Sequence, residues 1–121
     1  MIGDSGYTIK HRDEFEQTGR WSLARRSLDL DCFGMNLVAV EPGYAIPEHD
    51  ELDRGQVEVF VILCGDAVAV LDGQDHPAPA GTFVRVAPQV RRTIRNDGSE
   101  LVDLLIVSAP TTSGYEPMGW A

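Results

Sequence analysis

Three features of the 121-residue sequence predict an all-β fold: Gly (12) and Pro (7) spread along the chain, short apolar runs bounded by turn signals, and a single modest helical stretch. Hydrophobic residues at 43% and charged residues at 24% suit one folded domain with its own core, so the chain is read as a single domain, 1–121. No repeat, low-complexity tract or linker divides it.

Residues 11–19, HRDEFEQTG, predict one or two helical turns ended by Gly19. Strands are predicted at 7–10, 22–26, 33–41, 57–64, 67–71, 82–87, 92–95 and 101–108, a set that suits a barrel or a sandwich. Asp72-Gly73 follows AVAVL and has the chemistry of a tight hairpin, since both positions tolerate positive φ, so the chain returns from it through His76 to Gly81. Gly65-Asp66 and Asp97-Gly98 mark further reversals. Alternation sets Glu58, Phe60, Ile62 and Cys64 on one face of their strand and Val57, Val59, Val61 and Leu63 on the other. With both faces apolar, the strand should lie inside the shell on one side and under a second copy of the chain on the other, which predicts a homodimer.

Ten basic against nineteen acidic residues give a net charge of -9. Such a chain repels phosphate backbones and anionic membrane surfaces, so neither nucleic acid nor membrane is an expected partner. The longest uninterrupted apolar run is 59–64, far short of a membrane span, and the expected location is cytoplasmic. Cys32 and Cys64 have no metal-ligand spacing and are expected to be small buried hydrophobes.

The charge is unevenly placed. Residues 48–58 hold Glu48, Asp50, Glu51, Asp53 and Glu58 against one Arg54, whereas 85–95 hold Arg85, Arg91, Arg92 and Arg95 with no acid. On neighbouring antiparallel strands the two blocks would meet at one mouth of the shell. Alternation puts His49 with Glu51, and Arg92 with Ile94. If Glu58 also points inward, the interior holds His49, Glu51, Glu58 and Arg92 above an apolar floor that includes Phe60. Adjacent carboxylates raise at least one pKa and an Arg opposes the shift, so this set can stand without a metal.

Over roughly 33–108 the sequence resembles the cupin superfamily. Gly43, His49-Asp50-Glu51, Glu58 and Gly65 follow its first motif, and Gly81, Ala87-Pro88 and Asn96 its second. The loop before Glu58 is about two residues longer than the pattern, Glu51 stands in the place of the second metal-binding His, and Arg92 in the place of the third. The acidic EHDE at 48–51, the Arg91-Arg92 pair and the ending Gly114-Tyr115-Glu116-Pro117 are similar to small bacterial single-domain cupins for which the resemblance assigns no reaction. It implies a double-stranded β-helix, a jelly-roll barrel with its core at about 33–108, and a degenerate metal site. No cofactor is expected. A weakly bound divalent metal would have His49, Glu51 and Glu58 as ligands, because a guanidinium cannot coordinate and repels a cation.

Three functional readings follow. One is a binding module that takes a small polar or anionic metabolite into its lumen through His49, Glu51, Glu58, Phe60 and Arg92. Another is an isomerase, epimerase or lyase, metal-free or weakly metal-dependent, whose catalytic residues are His49 as acid/base and Arg92 as anion anchor. The bland alternative is that Arg92 pairs with Glu51 or Glu58 simply to fill the lumen. His11 and His76 are expected at the surface, as are Arg25 and Arg26. Trp21 and Trp120 are expected to be packing anchors. Tyr115 and Pro117 are expected in dimer or surface contacts. Asp103 is read either as a rim residue or as an inward carboxylate paired with an Arg.

Overall fold

The protein, described by a computed structural model over residues 6–121, folds into two antiparallel sheets that face each other as a jelly roll. The strands are β1 (Gln17–Thr18), β2 (Trp21–Ser22), β3 (Gly34–Val40), β4 (Gln56–Cys64), β5 (Asp66–Leu71), β6 (Gln74–Pro79), β7 (Phe83–Val86), β8 (Arg92–Arg95) and β9 (Val102–Pro110). The larger sheet has the order β1-β2-β3-β9-β4-β7 and the smaller β6-β5-β8. Bridges Ala45↔Arg95 and His49↔Arg92 lay residues 45–49 against the open edge of β8 and extend the smaller sheet toward the site.

Alternation explains the core. Val38 and Val40 of β3, Phe60 and Ile62 of β4, Ile94 of β8 and Leu104 of β9 point between the sheets, each at most 3% exposed. The hairpin at Asp72-Gly73 forms as expected, with φ of 49° and 80° at its two central residues.

Four expectations are corrected. Residues 22–26 are not a strand: after Ser22 the chain makes one helical turn, α1 (Ala24–Ser27). Ala and Arg favour helix, and the turn buries Ala24 while Arg25 and Arg26 stay exposed. Residues 7–10 run exposed outside both sheets, because the edge beside β3 is taken by the β1–β2 hairpin, with Gly19 at its turn. The helical stretch at 11–19 shrinks to one 3-10 turn, Arg12–Glu14, capped by His11. Both cysteines are exposed. For Cys64 the cause is a bulge between Ile62 and Cys64, which pairs Cys64 with outward-facing Asp103.

Trp21 packs half-buried against the core, whereas Trp120, expected as a packing anchor, is 83% exposed and does not pack on the core. Asp103 does pair with an Arg, but on the outer face of β9: both its oxygens accept from Arg12, at 2.8 Å each. His11 and His76 are exposed, as expected.

Candidate functional site

The site begins with backbone pairing. His49 N–H donates to the Arg92 carbonyl at 3.1 Å, and Arg92 N–H donates to the His49 carbonyl at 2.8 Å. Two residues bonded in this way lie directly opposite and send their side chains to the same face. Glu51 follows two residues on, its N–H donating to the Pro88 carbonyl at 2.9 Å. Glu58 enters from the other sheet, one alternation before Phe60. The four predicted charged residues therefore meet inside the shell.

Within the cluster, His49 Nδ1 lies 3.0 Å from the Pro47 carbonyl, which can only accept, so this nitrogen carries a hydrogen. His49 Nε2 is left facing acids, 3.0 Å from Glu51 Oε2 and 3.5 Å from Glu58 Oε1. Glu51 is 7% exposed, Glu58 8% and Arg92 0%. Arg92 Nε sits 3.3 Å from Glu58 Oε1 as an ion pair. Its Nη atoms donate to the carbonyls of Val90 at 2.9 Å and Ala87 at 3.3 Å. Burial pushes the Glu58 carboxyl above the usual carboxylate range and the Glu51 charge adds to the shift, against the pull of Arg92 and His49.

Glu51 Oε1, Glu58 Oε1 and Arg92 Nε are buried and have no hydrogen-bond partner among the described residues. Both glutamates line a cavity of about 220 Å³ together with His49 and Phe60. Arg92 does not line it; its Nη donors are spent on the Val90 and Ala87 carbonyls, and its Nε faces Glu58.

The cavity wall also contains Asn36, Gln56 and Ser108, none of them among the expected site residues, and Arg54, expected only as the one base of the acidic block. Asn36 and Ser108 could have been found, since they share the inward parity of Val38 and Ile106, where a polar side chain is out of place. Arg54 rides on the lengthened loop before Glu58, beyond the reach of alternation.

His49, Glu51 and Glu58 each offer a ligand atom, and these atoms lie within 4.8 Å of one another. Donor atoms around one divalent ion at about 2.0–2.2 Å stand roughly 3 Å apart, so the spacing from Nε2 to Glu51 and the orphaned carboxylate oxygens fit such an ion. The fixed charge of Arg92 beside Glu58 weakens the hold.

A family model described as "Cupin domain" matches residues 36–108. No curated protein matches the chain. Among solved structures, a cupin protein from Bacteroides fragilis is 20% identical with a TM-score of 0.77, covering 95% of this chain and 92% of that one. A sugar phosphate isomerase from a cupin superfamily, from Silicibacter pomeroyi, is 23% identical with a TM-score of 0.74, over 86% of this chain and 76% of that one. A predicted oxalate decarboxylase from Thermotoga maritima is 19% identical with a TM-score of 0.72, over 85% and 99%. At these identities the likeness shows the fold.

Proposed function

The chain belongs to the cupin domain family, and from that premise we propose that it binds a small polar or anionic metabolite in its lumen, at the cavity headed by His49, Glu51 and Glu58. One observation carries the reading: two buried carboxylate oxygens, on residues that line the cavity, accept no hydrogen bond, and have only the ion-pair contacts of Glu58 with Arg92 and His49 and of Glu51 with Arg54. A buried acceptor left unpaired costs about 1–3 kcal/mol, more when charged, and the hydroxyl donors of a ligand remove that cost. Glu51 and Glu58 accept from the ligand, His49 Nε2 lies beside them, and Phe60 supplies the apolar wall. Arg92 acts on the ligand through Glu58, which it holds in place. The structural neighbours named for sugar phosphates and oxalate support a small oxygen-rich ligand.

The catalytic reading, an isomerase, epimerase or lyase, is favoured at His49, whose Nδ1 bond to the Pro47 carbonyl aims Nε2 at the cavity. It finds no donor of Arg92 there to serve as anion anchor. A divalent metal bound by His49, Glu51 and Glu58 would supply Lewis-acid polarisation of a ligand oxygen. No helix among the described residues is long and apolar enough to cross a membrane. We further propose a homodimer, on the second apolar parity of 57–63, and a cytoplasmic location.

The test is a thermal-shift screen of two- to six-carbon polyols, hydroxy acids and their phosphates, with and without Mn²⁺, followed by calorimetry on each hit. The reading expects at least one hit whose affinity falls tenfold or more in Glu51→Gln with an unchanged circular dichroism spectrum. A screen without hits, or hits that Glu51→Gln binds equally well, overturns it.

A further inference from the structure

Beyond the His49 cavity lies a second one of about 460 Å³, and Asn36, Arg54, Gln56 and Ser108 line both. The two are therefore neighbouring compartments with a common polar wall. Their charges are opposite in kind. The first has Glu51 and Glu58 against the shared Arg54, whereas the second has Arg54 and Arg25 against a single carboxylate, Asp31. In a chain of net charge -9 this is an unusual place to find two cations.

Arg54 is poised to receive something. Its side chain is 72% exposed and makes no hydrogen bond to the described residues; its nearest charge is Glu51 Oε1, 3.8 Å away. The turn that carries it is pinned on both sides: Gly55 N–H donates to the Glu51 carbonyl at 2.8 Å, and the Gly55 carbonyl accepts from Thr111 N–H at 2.9 Å. Arg25 Nη1 donates to the Leu30 carbonyl at 2.8 Å, which orients the guanidinium from α1. With its backbone fixed and only a long ion pair to Glu51, the Arg54 guanidinium keeps its donors open to a carboxylate or phosphate.

From this arrangement we infer that the ligand of the lumen is a hydroxylated organic anion, bound with its hydroxyl end on Glu51 and Glu58 and its carboxylate or phosphate between Arg54 and Arg25. The inference rests on the lumen-binding reading and adds to it a charge, an orientation and a second subsite. The orientation follows from repulsion: an anionic group beside Glu51 and Glu58 would face two acids, whereas in the second cavity it faces two cations and one acid, Asp31. Asn36, Gln56 and Ser108 offer neutral hydrogen-bonding groups between the two ends.

Calorimetry with three matched five-carbon probes tests it: ribitol, which is neutral, ribonate, which ends in a carboxylate, and ribitol 5-phosphate. The wild type should bind at least one of the anions tenfold or more tightly than ribitol, and the two anionic arms tell carboxylate from phosphate. Arg54→Gln should erase most of that advantage and Arg25→Gln part of it, and in Arg25→Gln, whose side chain lines only the second cavity, binding of ribitol stays within twofold. Arg54→Gln removes an exposed side chain without hydrogen bonds, so its folding is not at stake. If ribitol binds through Glu51 and neither anion gains on it, or if Arg54→Gln keeps the full advantage, the anion subsite is wrong and the lumen reading survives. If none of the three binds, the inference falls together with its premise for this ligand class.

Discussion

Arg92 is a fully buried cation whose three nitrogens face different partners, Nε ion-paired with Glu58 without a hydrogen bond and the two Nη atoms hydrogen-bonded to the Val90 and Ala87 carbonyls. Removing one partner of such a pair strands the other in a low-dielectric place, so Arg92→Met should destabilise the fold by about 3–5 kcal/mol. The loss should depend on pH. The Glu58 carboxyl already lies above its ordinary value of 4.5 in the folded protein, which means that between 4.5 and the raised value the folded state holds the extra proton and stability falls as pH rises. Without Arg92 the shift grows, so chemical denaturation should show a smaller loss near pH 4.5 than near pH 8; an equal loss at both would contradict the pairing. His49, at 37% side-chain exposure, carries little of the packing, and His49→Ala should change stability by less than about 1 kcal/mol while weakening ligand binding. The inward aim of His49, Glu51, Glu58 and Arg92 was legible from alternation and charge. What Arg92 does with its donors was not, because its acceptors are backbone carbonyls exposed by the shape of the turn at Pro88.

The segments where alternation failed are the ones where the ladder itself is interrupted. β4 reads inward at Glu58, Phe60 and Ile62, and one extra residue at the bulge then turns Cys64 outward. No residue type in VILCG announces that bulge. The turn that follows is more legible: Gly65 has φ of 84°, and a Cβ there would stand 2.5 Å from the Leu101 carbonyl oxygen. Gly73, with φ of 80°, has nothing within 4 Å. Both substitutions to Ala therefore incur backbone strain, but only one also meets backbone. Gly73→Ala should cost about 1 kcal/mol and Gly65→Ala clearly more, about 3 kcal/mol, by urea denaturation. Equal costs would mean that the backbone at Leu101 yields freely. Helix at 24–27 escaped notice because four residues are too few for a periodic signal.

At the scale of the molecule, the larger sheet buries its inner face and carries an apolar row on its outer one, bordered by Arg85 beside Val59 and by the Arg12–Asp103 pair, with Val61 already buried. Val59 pairs with Val107, and Val61 with Leu105 and with Phe83, which is 71% exposed on the edge strand β7. Covering this face is the role proposed for a second copy. Because each copy carries a net charge of -9, apolar contact has to overcome repulsion, so light scattering should show a dimer that strengthens as salt rises and that Val107→Lys disrupts. A wild type that stays monomeric at high salt would remove the dimer. The face was legible as the second apolar parity of 57–63. Its outline was not, because that depends on where β9 and β3 lie beside β4.

A ligand that enters the lumen meets His49 Nε2 beside Glu51 and Glu58. The chain has only three histidines, and His11 and His76 are exposed elsewhere, so imidazole nitrogen NMR resolves the site directly. On titration with ribonate or ribitol 5-phosphate, the Nε2 resonance of His49 should move to saturation while those of His11 and His76 stay in place. A His49 signal that remains fixed throughout the titration would contradict the account.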